Sequence, residues 1–438
     1  MRTLAEWLTL QESVHPQSID MGLERVSRVA ATLGIADPPF PVITVAGTNG
    51  KGSVVAHLEA LLLALGAHAG AFTSPHLVRY NERIRIGGRE VSDAELIGAF
   101  ERIEAARAAT TLTFFEYNTL AALLLFVEAK VDAAVLEVGL GGRLDATNLV
   151  DADVGVVVSV GFDHREWLGD TLELIGAEKA GIFRSNRAAV LGTADMPASV
   201  YAAIRRLAAR PLVAERDFRW QVHGPAWDYE GPALALRGLP PSALAGTIQY
   251  RNASTALAAL AALRSSASVR SGAARLGARL AALDAQVAAR ALGRVQLAGR
   301  FQVIPGEIEW ILDIAHNEPA ARVLAMQLRA RPLPATGRGT ARTFAVIGVL
   351  ADKDAAAIGA ALAAVIDRWI VCTLPGPRAL GAAQLAQRLV PAGAACELAA
   401  SVQEGCERAR TEARPGDRVV VCGSVYTVGP ALQWLRIY

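Results

Sequence analysis

The chain has 438 residues, 52 % of them hydrophobic and 20 % charged, a balance that excludes a disordered or low-complexity polypeptide and supplies enough material for two or three domains. Its 44 Lys and Arg nearly cancel its 42 Asp and Glu, and a formal net charge of +2 excludes a broad nucleic-acid-binding face while leaving room for a local basic cleft. Four of the cations are lysines (Lys51, Lys130, Lys179 and Lys353), so each is a position to examine for chemistry that a guanidinium cannot perform.

The N-terminal segment carries Glu6 and Glu12 and lacks an apolar core ending in a small-residue cleavage site, so no signal peptide is expected. Apolar stretches are interrupted by Glu59, Glu128 or Glu137 before reaching the ~18 residues of a membrane span. Cys372, Cys396, Cys406 and Cys422 form no C-x-x-C pair and read as reduced, buried thiols. A cytoplasmic protein without membrane or nucleic-acid partners, and a monomer, is expected.

From Pro41 a pattern repeats: a β-branched run, a Gly-rich turn, then an Ala- and Leu-rich helical stretch. Pro41–Ala46 is the first run, with helical spacing from Ser53 to Leu65; Val131–Val138 and Val154–Val160 are further strands. Alternation of this kind implies parallel pairing in a doubly wound α/β sheet. Between Leu191 and about Pro241 the rhythm is lost, and Trp220 and Trp227 with several Pro and Gly predict a small β-rich excursion. An Ala-rich helical block follows from Asn252 to about Leu292. After Arg300 the alternation restarts, with strands expected at Glu309–Asp313, Thr343–Gly348, Trp369–Thr373 and Arg418–Cys422, and a loop over 331–342. The expectation is a P-loop-type doubly wound N-terminal domain over residues 1–296, then a smaller Rossmann-like α/β domain over 297–438, with a catalytic cleft between them.

Gly47-Thr48-Asn49-Gly50-Lys51-Gly52-Ser53 lies between the first strand and its helix, the layout of a phosphate cradle. Glycines let backbone N–H groups converge on an anion, and the helix N-terminus adds its positive dipole end. Lys51 offers a compact charge to the β- and γ-phosphates of a nucleotide, and Ser53 a hydroxyl to Mg²⁺. The pattern departs from G-x-x-x-x-G-K-[ST] because Gly52 separates Lys51 from Ser53. The plain alternative is a Gly-rich turn with a surface lysine.

Glu137 stands at the carboxyl end of the next strand, and Phe162-Asp163-His164 reads as the end of the one after. Ligands of open α/β sheets gather at such ends, so two neighbouring strands would deliver a carboxylate and an imidazole to one crevice. A capping Asp163 and a structural His164 at a helix start is the alternative. Lys179 follows Glu178 near the end of a helix closing at Gly181; spacing alone makes it a solvated lysine paired with Glu178, and its rarity keeps a functional role open.

Together these residues resemble the folylpolyglutamate synthase/dihydrofolate synthase branch of the Mur ligase family. The likeness extends over nearly the whole chain, through Ser18–Arg25, Val45–Ser53, Thr73–Tyr80 with Glu82-Arg83, Phe115–Tyr117, Glu137–Asn148, Asp163-His164, Glu178–Ile182, Gly299–Phe301, Asp313–Asn317, Asp352–Asp354 and Cys422–Ser424. It implies an ATP-dependent carboxylate–amine ligase that adds L-glutamate to dihydropteroate and to the γ-carboxylate of reduced folates through an acyl phosphate. The resemblance assigns Ser53 to one Mg²⁺ and Ser74, Glu137 and His164 to a second, and makes Lys179 a lysine carbamylated by CO₂. By the same match Asn252, Arg300 and Asp313 face ATP, and Asp313, His316 and Ser424 lie near the incoming glutamate. Thr113, Phe115, Asp145 and Ala146 correspond to positions lining the pterin side, and Arg83 to a further substrate-binding position; core packing is the alternative for Phe115. Lys51, Lys179, Asp313 and His316 are the catalytic set so implied. The family often carries His-Asn-Pro-His-Ala where this chain has His316-Asn317-Glu318-Pro319-Ala320, so His316 is kept and a second His is not.

A cell-wall ligase of the same family would need a UDP-binding domain ahead of the phosphate loop, and 46 residues precede Gly47, too few for one. A nucleotide-switch protein would carry a base-specificity motif such as Asn-Lys-x-Asp, which is lacking. Folylpolyglutamate synthase activity alone, without the dihydropteroate reaction, is the remaining alternative.

Overall fold

A computed structural model describes residues 2–438 apart from 267, 268, 270–272, 334–340, 377 and 391–393. Most of the loop expected over 331–342, and part of the Ala-rich block, therefore lie outside the described residues. Two compact units are present: residues 1–76, 80–243 and 249–295 form the first, and 77–79, 244–248 and 296–438 the second.

The first unit is built on strands β1 (Val42–Ala46), β2 (Ala69–Phe72), β3 (Ile84–Ile86), β4 (Arg89–Glu90), β5 (Ala133–Glu137), β6 (Val154–Val157), β7 (Ala188–Leu191) and β8 (Arg210–Val213), in the order β4-β3-β2-β5-β1-β6-β7-β8. From β2 to β8 every pair is parallel, and β3 and β4 add antiparallel at one edge. Each β1 residue is buried because the sheet is covered on both faces. Ile43 and Val45 enter one core with Val54, Leu58 and Leu257, whereas Val42 enters a second with Phe72 and Leu136. That alternation follows from the two-residue period of a strand. The helix after β1, Lys51–Ala64, is buried on most sides, which explains why its sequence has no polar face.

The β-rich excursion is shorter than predicted. Helix Ala198–Arg206 and strand β8 continue the α/β rhythm through Val213, and only β9 (Arg219–His223), β10 (Ala226–Gly231) and β11 (Leu234–Leu239) leave it, as an antiparallel three-stranded meander. Trp227 anchors the meander: it is fully buried and its Nε1 donates to Pro240 O at 2.7 Å. The helical block comprises Ile248–Arg264, Ala274–Ala281 and Ala285–Leu292 among the described residues.

The second unit is a six-stranded sheet of β12 (Gln302–Ile304), β13 (Glu309–Asp313), β14 (Thr343–Ile347), β15 (Arg368–Cys372), β16 (Ala395–Ala399) and β17 (Arg418–Cys422), ordered β12-β13-β17-β14-β15-β16. Only β12 pairs antiparallel. The two unpredicted strands, β12 and β16, form its edges, where one-sided burial leaves no apolar run to detect. On β16 Cys396 is exposed, unlike the other three thiols and contrary to expectation. No helix among the described residues is long and apolar enough to cross a membrane.

Candidate active site

The phosphate loop leaves β1 and bends at Gly50, whose φ of 88° favours glycine; a Cβ there would stand 2.9 Å from Val158 Cγ1 and 3.2 Å from Asn252 Oδ1. The segment after β6 braces the loop. Thr48 N donates to Ser159 O (2.9 Å), Thr48 Oγ1 donates to Gly161 O (3.1 Å) and accepts from Gly161 N (2.9 Å). Asn49 N donates to Ser159 Oγ, which in turn donates to Asn49 O. Lys51 folds back over the turn, its Nζ 2.9 Å from Gly47 O and 3.4 Å from Thr48 O. Gly52 and Ser53 begin the helix, both buried. The Gly-rich turn expected of a phosphate cradle is present, and half-buried Lys51 holds its amine against it.

Two residues against this loop have distinct standing. Asn252 is buried, gives its Nδ2 to Gln249 Oε1 (3.0 Å), and has an Oδ1 beside Gly50 without a hydrogen-bond partner. His57, one helical turn after Ser53 and buried, carries no signal in the sequence. Its Nδ1 lies 2.7 Å from Ser53 O and its Nε2 2.9 Å from Ser242 Oγ. Burial lowers its pKa to about 4, so the ring is neutral; the carbonyl can only accept, which puts the proton on Nδ1 and makes Nε2 an acceptor for the serine hydroxyl.

Glu137 ends β5 almost fully buried, and Ser74 N donates to its Oε2 at 3.2 Å. The expected adjacency of the Glu137 and His164 strands needs correction: β1 lies between β5 and β6 and pairs with both, so the phosphate loop stands between them. β6 also stops at Val157, earlier than predicted, and His164 follows on the loop beyond it, at φ 51° before the short helix Arg165–Leu168. Asp163 Oδ1 accepts from His164 N at 2.9 Å, and the imidazole is one-third exposed. Arg85 supports the Ser74 loop from behind: it pairs with buried Glu59 of the phosphate-loop helix (2.8 Å) and donates to Thr73 Oγ1 (3.0 Å) and Glu82 O (2.8 Å). Among the described residues no three His, Cys, Asp or Glu side chains cluster at metal-binding distance, so a cation here would have to draw on hydroxyls and ligand oxygens as well.

Lys179 is not the solvated lysine that its spacing implied. It is 4 % exposed in the last turn of helix Leu172–Ala180, and Glu178 pairs instead with Arg143 at 2.8 Å. Burial first, and then the charge of Lys51, lower its pKa to about 7 against the opposing pull of Asp163 and Asp145.

On the expected pterin side, Thr113 caps helix Phe114–Glu128 through a reciprocal pair with Glu116, its N donating at 2.7 Å and its Oγ1 accepting at 3.3 Å. Phe115 packs on Phe72, ring centroids 5.7 Å apart, and its ring lies where a Cβ on Gly139 would fall. Buried Asp145 accepts from Leu140 N, Thr147 N and Thr147 Oγ1, folding its loop; burial raises its pKa against those bonds. Ala146 is buried beside it. Arg83 donates Nε to His76 Nδ1 (2.7 Å) and lies over the rings of Tyr80 and Phe114.

In the second unit Asp313 ends β13 and accepts from Phe301 N (2.8 Å) and Ala315 N (2.9 Å); burial raises its pKa and the Arg300 charge opposes the rise. His316 follows, before Asn317 caps helix Glu318–Ala330. Glu318, where the family pattern has Pro, is half-buried and paired with Arg322. Buried Ser424 caps helix Val425–Trp434 just after β17, the parallel neighbour of β13, so Asp313, His316 and Ser424 share one carboxyl edge.

Residues 45–211 match the Mur ligase middle domain and residues 299–425 the Mur ligase glutamate ligase domain. The chain is 43 % identical, over 98 % of its length and 95 % of the relative's, to the dihydrofolate synthase/folylpolyglutamate synthase of Escherichia coli (strain K12). It is similar to the structure of E. coli FolC in complex with DHPP and ADP, with a TM-score of 0.89 and 40 % identity over 100 % of this chain and 98 % of that one. It is also similar to a bifunctional folylpolyglutamate synthase/dihydrofolate synthase with Mn, AMPPNP and L-glutamate bound, with a TM-score of 0.87 and 40 % identity over 100 % and 98 % of the two chains. The chain belongs to the Mur ligase family of ATP-dependent ligases, in its dihydrofolate synthase/folylpolyglutamate synthase branch.

Proposed function

We propose that the enzyme uses ATP to join L-glutamate to the carboxylate of dihydropteroate and to the terminal γ-carboxylate of reduced folates. The observation that carries the proposal is the Lys179 amine, buried and near neutral in pKa, within electrostatic reach of the phosphate-loop Lys51. The relatives with ADP, AMPPNP, Mn, DHPP and L-glutamate bound support the same substrates here.

In the proposed reaction a pteroyl or folyl carboxylate oxygen attacks the γ-phosphorus of ATP, the bond to the bridging oxygen breaks, and ADP leaves. The glutamate amine then adds to the acyl phosphate, loses a proton, and expels phosphate to leave the amide. The first step brings anions together, so cationic groups must offset their repulsion. Lys51 and the N-terminus of helix Lys51–Ala64 do this from the loop, and Arg300 is a further cation that the family likeness assigns to ATP. Two Mg²⁺ ions, one held by Ser53 and one by Ser74, Glu137 and His164, supply further neutralisation of the phosphates when bound. The buried Glu137 carboxylate, the Ser53 hydroxyl and the partnerless Asn252 Oδ1 suit such ligands. The neutral Lys179 amine adds to CO₂ and releases a proton, and the carbamate so formed is an additional carboxylate for positioning; an arginine cannot form it. Asn252, Arg300 and Asp313 face ATP, Asp313, His316 and Ser424 lie near the glutamate, and Arg83 binds substrate. On the pterin side Thr113, Phe115, Asp145 and Ala146 act chiefly by shaping the helix start and loop that they build.

Parallel ADP-release assays test the reading, with dihydropteroate or a reduced folate and with or without glutamate. ADP release should require both acceptor and glutamate. Release independent of them overturns the ligase, and turnover with reduced folate alone reduces the activity to folylpolyglutamate synthesis.

A further inference from the structure

The chain leaves β2 at Thr73, next to Ser74, and enters β3 from Glu82 and Arg83. These two points are tied together: Thr73 N donates to Arg83 O (2.9 Å) and Thr73 Oγ1 to Glu82 O (3.2 Å). A single side chain on β3 holds both of them. Arg85 Nη1 donates to Thr73 Oγ1 (3.0 Å) and to Glu82 O (2.8 Å), so its partners are the immediate neighbours of Ser74 and Arg83.

The other edge of the same guanidinium faces helix Lys51–Ala64. Arg85 Nε donates to Glu59 Oε1 (3.1 Å) and Oε2 (2.9 Å), and Nη2 lies 2.8 Å from Oε2. Glu59 is buried on the helix that opens with Lys51, Gly52 and Ser53. Burial opposes the Arg85 charge, and Glu59 first, then Glu137 and Glu90, sustain it. Glu137 is the carboxylate that accepts from Ser74 N. A planar guanidinium serves a carboxylate on one edge and two further oxygens on another at the same time, which an ammonium cannot do.

We infer that Arg85 is a positioning residue of the ligase centre, holding Ser74 and Arg83 in register with the helix that carries Lys51 and Ser53. The inference rests on the ligase reading above. Groups that touch neither metal nor substrate but orient those that do change affinity by about tenfold or more, and a displacement of about 1 Å is enough to slow chemistry.

Two variants test it. Arg85→Lys keeps a cation for Glu59 without the bridge to Thr73 and Glu82; Arg85→Met with Glu59→Leu replaces both charges with apolar volume. Each should bind ADP with wild-type affinity in calorimetry, because the phosphate loop is untouched. The second Mn²⁺ equivalent titrated into the ADP complex should bind about tenfold more weakly in each, and the KM for dihydropteroate should rise about tenfold. Wild-type Mn²⁺ affinity in both variants overturns the inference alone. An equal loss of ADP affinity overturns it too, since Arg85 would then be a general stabiliser. A wild-type protein that takes up no second Mn²⁺ overturns the two-ion reading and the inference with it.

Discussion

At Lys179 burial removes the hydration of an ammonium, and Lys51 adds repulsion; Asp163 and Asp145 only partly offset these effects. Near pH 7 a substantial fraction of the amine is then neutral, as carbamate formation requires. Turnover should fall as the pH drops below about 7, and bicarbonate added to CO₂-free buffer should restore it above that pH; a flat profile between pH 6 and 8 in both buffers contradicts the assignment. Stability has the same sign: from about 10.5 down to about 7 the unfolded chain binds a proton that the folded state does not, so this contribution diminishes as pH falls through that window. Lys179→Arg should lower turnover at least tenfold, ~1.4 kcal/mol of barrier, and a wild-type rate would exclude the carbamate. The scarcity of lysine points to Lys179 in the sequence, but its burial does not show there, because the neighbouring Glu178 offers an apparent partner that in the fold belongs to Arg143. His57 has no sequence signal at all: a lone histidine in an apolar helix resembles any core residue. His57→Ala leaves Ser53 O and the Ser242 hydroxyl without this partner and should destabilise the first unit by about 1–3 kcal/mol in denaturant titration. The wild-type His57 contribution should be lost as pH falls from 6.5 towards about 4, because only the unfolded chain gains that proton there.

Strands buried on both faces are legible because each must be apolar, and β1, β5, β6, β13, β14, β15 and β17 all announce themselves in this way. Their lateral order is not legible, because crossovers set it. Placing β1 between β5 and β6 puts the phosphate loop, rather than an empty gap, between Glu137 and the His164 loop. Edge strands β12 and β16 lack the pattern, and β8 hides in a stretch that reads as irregular because Arg210-Pro211 opens it. At this scale Arg85 joins three elements, helix Lys51–Ala64, strand β3 and the Thr73 turn, through Glu59 and backbone. Arg85→Gln strands the buried Glu59 carboxylate and should destabilise by about 3–5 kcal/mol in denaturant unfolding, whereas Arg85→Met with Glu59→Leu should recover most of that loss. Equal losses in the single and double variants would contradict this role.

Across the molecule, two α/β units each place candidate site residues at the carboxyl edge of a parallel sheet, the place where helix N-termini and loop amides converge on anions. That much follows from strand–helix alternation. The chemistry does not: it depends on which loops converge, and in the first unit the loops after β1 and β6 brace one another through Thr48 and Ser159, and the loop after β2 is tied through Ser74 to Glu137 at the end of β5, by bonds that no sequence spacing encodes. The near-zero net charge likewise conceals a local cationic centre, with Lys51 and Lys179 close enough to repel. The proposed chemistry requires one oxygen atom to leave the acceptor carboxylate and end in phosphate. The measurement is therefore turnover of carboxylate-¹⁸O-labelled dihydropteroate with ATP and L-glutamate, followed by mass analysis of the inorganic phosphate. An acyl-phosphate ligase transfers one ¹⁸O to each phosphate released; phosphate without label, accompanied by amide product, would contradict it.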